Sequence, residues 1–151
     1  MQAFPLTLEQ TALCRQMADL AGLGGFIVDV TTGRCLWCAD EVARIHGLAL
    51  ADCLELLSAA PALLARIDPA DRAGYEKARA EATERRRCYA VQYRLRRPDG
   101  VIRVVKEVGE QLAEPASGQW RLVGVLQDVT ERLNTERTIH YMAHHDALTG
   151  L

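Results

Sequence analysis

Three groups of residues have the types and spacing that chemistry uses. Cys35 and Cys38 form a Cys-x-x-Cys pair, His140 and His144 are spaced i, i+4, and His144-His-Asp146 is a tandem of histidines beside an acid. A Cys-x-x-Cys pair can supply half of a zinc site or a redox disulfide, and two His four apart on a helix can chelate a metal. Each group falls short of a complete site. On a strand, residues three apart are expected on opposite faces, which suits neither a shared metal nor a disulfide. No second Cys pair completes a zinc set, and the His pair lacks a third ligand. The thiols are therefore expected to act as small buried hydrophobes. No nucleophile–base constellation or phosphate-binding glycine loop is present, and Gly22 to Gly25 reads as a helix stop before a strand. The expectation is a chain with no catalytic residues and no metal site.

The elements that would position these groups follow from periodicity. Thr7-Leu-Glu-Gln10 has the form of a capping box, and Leu13, Met17 and Leu20 recur at helical spacing, which predicts an amphipathic helix within residues 1–22. Phe26-Ile-Val-Asp-Val30 and Arg34-Cys-Leu-Trp-Cys38 flank Thr31-Thr-Gly33 and predict a hairpin. Asp40 is expected to N-cap a short helix that Gly47 closes. Short helices should follow through Ile67, and Asp68-Pro69 should open a longer helix that runs to Arg87. Its Arg85-Arg-Arg87 run reads as a solvated face. The period then changes to two: Tyr89, Val91, Tyr93 and Leu95 share one face. Pro98-Asp-Gly100 makes a tight turn into a strand over Val101 to Val108. Trp120 to Gln127 is apolar at both parities, as a central strand with both faces covered would be. Segregated groups of strands with helices between them imply an α+β domain on an antiparallel sheet.

Composition narrows the function classes. The balance of 18 Lys+Arg against 20 Asp+Glu leaves no basic excess for nucleic acid. No apolar run reaches the length that crosses a bilayer, and Met1-Gln-Ala-Phe-Pro5 has no signal-peptide pattern. Five Cys without framework spacing fit a reducing cytoplasm.

Five segments in this order resemble a PAS domain of the bacterial signalling subtype: Phe26 to Gly33, Ile45-His-Gly-Leu48, Ile67-Asp-Pro-Ala-Asp-Arg72, Tyr93 to Gly100 and Gly124 to Arg132. Asp68 stands where many relatives have His, and Val104 where they often have Trp. The resemblance implies a five-stranded antiparallel sheet with short helices on one face. It divides the chain into an N-terminal helix (1–22), a PAS domain (23–130), a signalling helix (131–145) and, at 146–151, the start of a second domain. Asp146-Ala-Leu-Thr-Gly-Leu151 resembles the N-terminal edge of a GGDEF, or diguanylate cyclase, domain, cut short here. The implied function is a cytoplasmic sensor and dimerisation module that regulates cyclic-di-GMP synthesis by a C-terminal cyclase in the parent protein, with a phosphodiesterase domain as a further parent option. The fragment itself is expected to have no enzyme activity.

The resemblance also assigns sites. Asp128, Val129 and Thr130 match the segment that couples the PAS core to the exit helix, and Leu133 continues it. A ligand cavity between sheet and helices would be lined by Trp37, Ile45, His46, Tyr93 and Leu95. The cofactor stays unknown. Cys53, in Ala51-Asp-Cys-Leu-Glu55, lacks the neighbours of the light-sensing flavin relatives, and the helix from Pro69 to Arg87 contains no His for haem. A homodimer is implied, through the N-terminal helix, the sheet face or the exit helix. Two other readings stay open: a ligand-free interaction module, and the input domain of a histidine kinase. Against the second, Thr149-Gly150 replaces the Arg and Pro of the usual phosphoacceptor phrase.

Overall fold

The first and last strands of the described chain, residues 22–149 of this computed structural model with side chains described through residue 143, lie side by side. They are β1 (Leu23–Asp29) and β5 (Trp120–Asp128), antiparallel from Leu23↔Gln127 to Asp29↔Arg121. β2 (Cys35–Cys38) flanks β1 at one edge, and β4 (Ile102–Ala113) and β3 (Tyr89–Arg96) extend the sheet beyond β5. The order is β2-β1-β5-β4-β3, with every pair antiparallel. Between β2 and β3 the chain forms α1 (Asp40–His46), α2 (Leu50–Leu57), α3 (Ala60–Arg66) and α4 (Pro69–Arg85), and α5 (Thr130–Thr149) leaves the sheet after β5. The expected α+β, five-stranded architecture is the one observed. The expected helix within residues 1–22 falls almost wholly outside the described residues.

Local chemistry explains most boundaries. Asp29 accepts from the Thr31 N–H at 3.2 Å and the Thr32 hydroxyl at 2.9 Å, shaping the β1–β2 turn. Pro98-Asp99-Gly100 makes the β3–β4 turn, with the Gly100 N–H donating to the Arg97 carbonyl at 2.9 Å and Gly100 at φ 85°. Asp68 caps α4 by accepting from the Ala70 N–H at 2.9 Å. Gly47 closes α1 in the left-handed region at φ 70°. Asp40 departs from expectation: it is the first residue of α1, and the N-cap is Ala39, whose side chain has no acceptor. Acidic Asp40 and Glu41 still face the positive end of the helix dipole. α4 ends at Arg85 rather than Arg87, because Arg86 takes φ 52°. Its guanidinium lies 4.3 Å from the Trp120 ring centroid and donates to Gln111 at 2.9 Å, so this arginine is docked rather than free in solvent.

The sheet has two unlike faces. Phe26 and Val28, Tyr89, Tyr93 and Leu95, Val105, and Leu122 and Leu126 point inward, where Val42, Ile45, Cys53, Leu63 and Ile67 of the helical side complete the core. Gly109 and Gly124 are cross-strand partners on this face, and each lies directly beneath a ring, Tyr89 over the first and Phe26 over the second. Any side chain there would collide with those rings. On the outer face Trp37, Val108, Leu112 and Val125 are exposed. β5 is central as expected, but on its outer face Val125 stays exposed while Arg121, Val123 and Gln127 are half-buried.

Candidate functional site

β4 carries a carboxylate into the core. Glu107 is 2% exposed on the inner face, between the two tyrosines of β3, since Tyr93 pairs with Val105 and Tyr89 with Gly109. The Tyr93 hydroxyl donates to Glu107 Oε1 at 2.9 Å, and the Tyr89 hydroxyl donates to Oε2. From α4, Arg79 Nη1 lies 3.4 Å from Oε2 and donates to the Tyr75 hydroxyl at 2.6 Å. The Tyr75 ring meets Tyr93 edge-on at 5.1 Å. Burial raises the pKa of all three phenols, and Glu107 adds to it. They therefore remain hydrogen-bond donors across the physiological range. Burial works against the charge on Arg79, but Glu107 together with Tyr75, Tyr89 and Tyr93 outweighs it and holds the guanidinium protonated. Nε and Nη2 of Arg79 make no hydrogen bond among the described residues.

Arg79 stands between two spaces. Outside it, a cavity of about 470 Å³ is walled by Val28, Leu57, Pro61, Leu63 and Leu64, with Tyr75, Glu76 and Arg79 at its polar end. Inside it, a crevice of about 10 Å³ is bounded by His46, Tyr93, Glu107, Phe26 and Leu126, and it shares Val28, Leu57, Leu63 and Arg79 with the cavity. His46 is 1% exposed, and neither ring nitrogen has a hydrogen-bond partner among the described residues. Burial, reinforced by Arg66, pushes its pKa down to about 4, so the imidazole is neutral.

The residues expected around a cavity therefore separate. His46 and Tyr93 meet at the crevice. Ile45 and Leu95 are buried in the packed core and touch neither space. Trp37 is a correction: it is 50% exposed, on the outer face of the sheet against Gly25. Glu107 and Arg79 were missed by sequence reasoning. Glu107 had a signal, since the Pro-Asp-Gly turn sets the register that places it between two tyrosines.

The Cys-x-x-Cys pair also differs from expectation. Ile27 pairs with Trp37 but Val28 with Cys35, so Leu36 is an extra residue in a β-bulge. The bulge turns Cys35 to the same side as Cys38, and both are buried next to Cys53 of α2. Burial pushes the Cys35 thiol up to about 11 and the Cys53 thiol up to about 12. Such thiols are protonated and poor nucleophiles. Among the described residues no group of His, Cys, Asp or Glu has the geometry of a metal site.

At the end of β5, Asp128 Oδ2 accepts from Arg103 Nε at 2.6 Å, while Oδ1 accepts from the Thr130 N–H at 3.0 Å and its hydroxyl at 2.6 Å. The Thr130 oxygen accepts in turn from the Val104 N–H at 2.8 Å, and the Val129 N–H donates to the Val104 carbonyl at 2.9 Å. Burial raises the Asp128 pKa, but Arg103 and Thr130 together bring it below the usual carboxylate range. Val129 is buried, and Leu133 is half-buried beside a groove formed with Asp71, Arg94, Val104 and Arg137. The first turn of α5 is thus tied to β4, the strand that bears Glu107.

Comparison with known proteins fits this architecture. An uncharacterized protein, y4lL, from Sinorhizobium fredii is 35% identical over 92 residues, which cover 56% of this chain and 11% of that protein. The chain thus spans about a tenth of the length of that curated relative. A sensory box histidine kinase/response regulator structure from Burkholderia thailandensis aligns with a TM-score of 0.65 at 25% identity, covering 91% of this chain and 98% of that one. The N-terminal domain of a diguanylate cyclase with PAS/PAC sensor from Marinobacter aquaeolei has the same fold, with a TM-score of 0.63 at 13% identity and coverage of 73% and 97%. No helix among the described residues is long and apolar enough to cross a membrane. Residues 36–126 match the family described as PAS fold, and the chain belongs to that family.

Proposed function

We propose that this chain is a cytoplasmic, non-catalytic input module that sets the activity of a C-terminal diguanylate cyclase, and so cyclic-di-GMP output, through the helix leaving its sheet. The observation that carries the reading is the Arg103–Asp128–Thr130–Val104 tie, which fixes the first turn of α5 to β4. Glu107 and Arg103 lie four residues apart on that strand, so a shift of β4 at the crevice reaches the exit helix without an intermediary. The cyclase assignment rests on Asp146 to Leu151 and their likeness to a GGDEF edge. Such outputs act in pairs, and the exposed outer sheet face offers an apolar surface for a second copy. The test is cyclic-di-GMP synthesis from GTP by the parent protein. Asp128→Ala and Thr130→Val should change the rate or its response to signal while leaving the cyclase fold intact. A parent with no cyclase sequence after Leu151, or variants with wild-type regulation, would refute the reading.

A second reading has its own observation: the match at 25% identity is to a sensory box histidine kinase/response regulator. In that case the same hinge would drive a phosphoacceptor helix. The residues that follow Leu151 in the gene discriminate the two.

A further inference from the structure

The cavity and the crevice behind Arg79 together describe the molecule they would take. The cavity wall is aliphatic, from Val28, Leu57, Pro61, Leu63 and Leu64, which calls for an apolar body. At its inner end Arg79 bonds Tyr75 and Glu107 through Nη1 alone, and behind it His46 offers one donor and one acceptor, neither used among the described residues. An unpartnered buried imidazole is costly, and a group that satisfied it would bind with that cost removed. The crevice, about 10 Å³, accommodates a single oxygen-sized group rather than a forked one.

Charge decides the rest. The ionisable groups lining this end are Glu76, Glu107 and Arg79, with His46 neutral and Arg66 acting on it from α3, and the charge of Arg79 already faces Glu107 at 3.4 Å. A ligand carboxylate would enter a low-dielectric site beside Glu107 and be repelled. A cation would face Arg79 and find the Glu107 oxygens already occupied by Tyr89 and Tyr93. A hydroxyl both donates and accepts, which either tautomer of His46 requires. We propose that the cavity binds a small uncharged alcohol or phenol, its apolar body against Leu57, Leu63 and Leu64 and its hydroxyl between Arg79 and His46. This rests on the input-module reading only in making occupancy the signal; the binding itself does not.

The test is a matched pair of probes on the 151-residue chain, hexan-1-ol and hexanoate, followed by the His46 ring resonances in NMR and by thermal unfolding. Hexan-1-ol should shift the His46 resonances saturably and raise the unfolding temperature, with hexanoate weaker by at least about tenfold. Ala60→Trp, which narrows the cavity from an exposed helix position, should weaken hexan-1-ol, and His46→Leu should abolish the preference for alcohol over acid. Equal or tighter binding of hexanoate, no saturable shift with hexan-1-ol, or unchanged binding in Ala60→Trp would overturn the assignment. The two proposals fail separately. Saturable binding with unchanged output in the parent protein would refute the sensor reading alone. Absent binding, with hinge variants still altering output, would refute the ligand site alone.

Discussion

Glu107 is held by donors from two elements: the hydroxyls of Tyr89 and Tyr93 from β3 and the guanidinium of Arg79 from α4. A glutamine in its place keeps the shape but brings a donor nitrogen against a hydroxyl. Glu107→Gln should therefore cost about 1–3 kcal/mol, read as a lowered urea midpoint with an unchanged m-value. His46 makes the opposite case, since it has no partner to lose. His46→Leu should hold or raise stability at pH 7. It should also remove a pH dependence whose sign is fixed by the depressed pKa. The unfolded state binds the His46 proton from about pH 6.5 downward, whereas the folded state resists until about 4. Stability from this group is present above pH 6.5 and lost as pH falls between the two values, by up to about 3 kcal/mol. Denaturation midpoints of wild type should fall progressively further below those of His46→Leu as pH drops from 7 to 4.5, and parallel curves would exclude His46 as the titrating group. The sequence made Tyr93 and His46 visible as polar groups on apolar faces. It hid Arg79, one of three arginines on α4, because only the packing angle of that helix decides which cation points at the sheet.

Among the elements, β4 runs from the crevice at Glu107 to the start of the exit helix at Arg103 and Val104. Its alternation was legible from the Pro98-Asp-Gly100 turn, but its far end was not, and the strand runs to Ala113 rather than Val108. The extra residues stay paired because β5 continues opposite them, from Glu110↔Val123 to Ala113↔Trp120. β2 was misread in phase for a related reason. A single bulged residue, Leu36, reverses the faces of everything before it, and no propensity announces a bulge in four residues. The cap at the end of β5, by contrast, was legible in outline because Asp128 and Thr130 are residue types that cap. Its partner Arg103 comes from long-range register, which spacing alone does not supply. Thr130→Val keeps the shape and removes the hydroxyl, leaving the Val104 N–H without its acceptor and Asp128 without one donor. The expected cost is about 1–2 kcal/mol, concentrated in faster amide exchange across the first turn of α5 while the sheet stays protected. The Asp128 contribution has the carboxylate sign. Its pKa is depressed in the fold, so the tie is intact above the ordinary Asp range and weakens as pH falls below it. Exchange across that turn should therefore quicken only in acid, well below the window in which His46 acts.

At the scale of the whole molecule, the two faces of the sheet set what the domain can join. The inner face is closed by α1–α4, whereas the outer face leaves Trp37, Val108, Leu112 and Val125 exposed. The exposed apolar groups are neighbours: Val108 pairs with Val125, and Ile27 pairs with both Trp37 and Val123. A contiguous apolar sheet face of this kind marks an interaction surface. The sequence showed that β5 needs cover on both sides, through Val123 and Val125 as well as Leu122 and Leu126, but not what supplies it. If a second copy supplies it, the outer face is self-complementary about a two-fold axis and a single change is felt twice. Val108→Lys with Val125→Lys should convert a dimer to a monomer in sedimentation velocity. The fold should survive, because both side chains point away from the core. On the proposed cyclase reading, the same pair should also lower cyclic-di-GMP synthesis by the parent protein. A chain that sediments as a monomer before the substitution would transfer the cover to the segment preceding residue 22. In that case removing residues 1–21, rather than the lysine pair, should lower the unfolding temperature, and the two experiments together assign the occupant of the face.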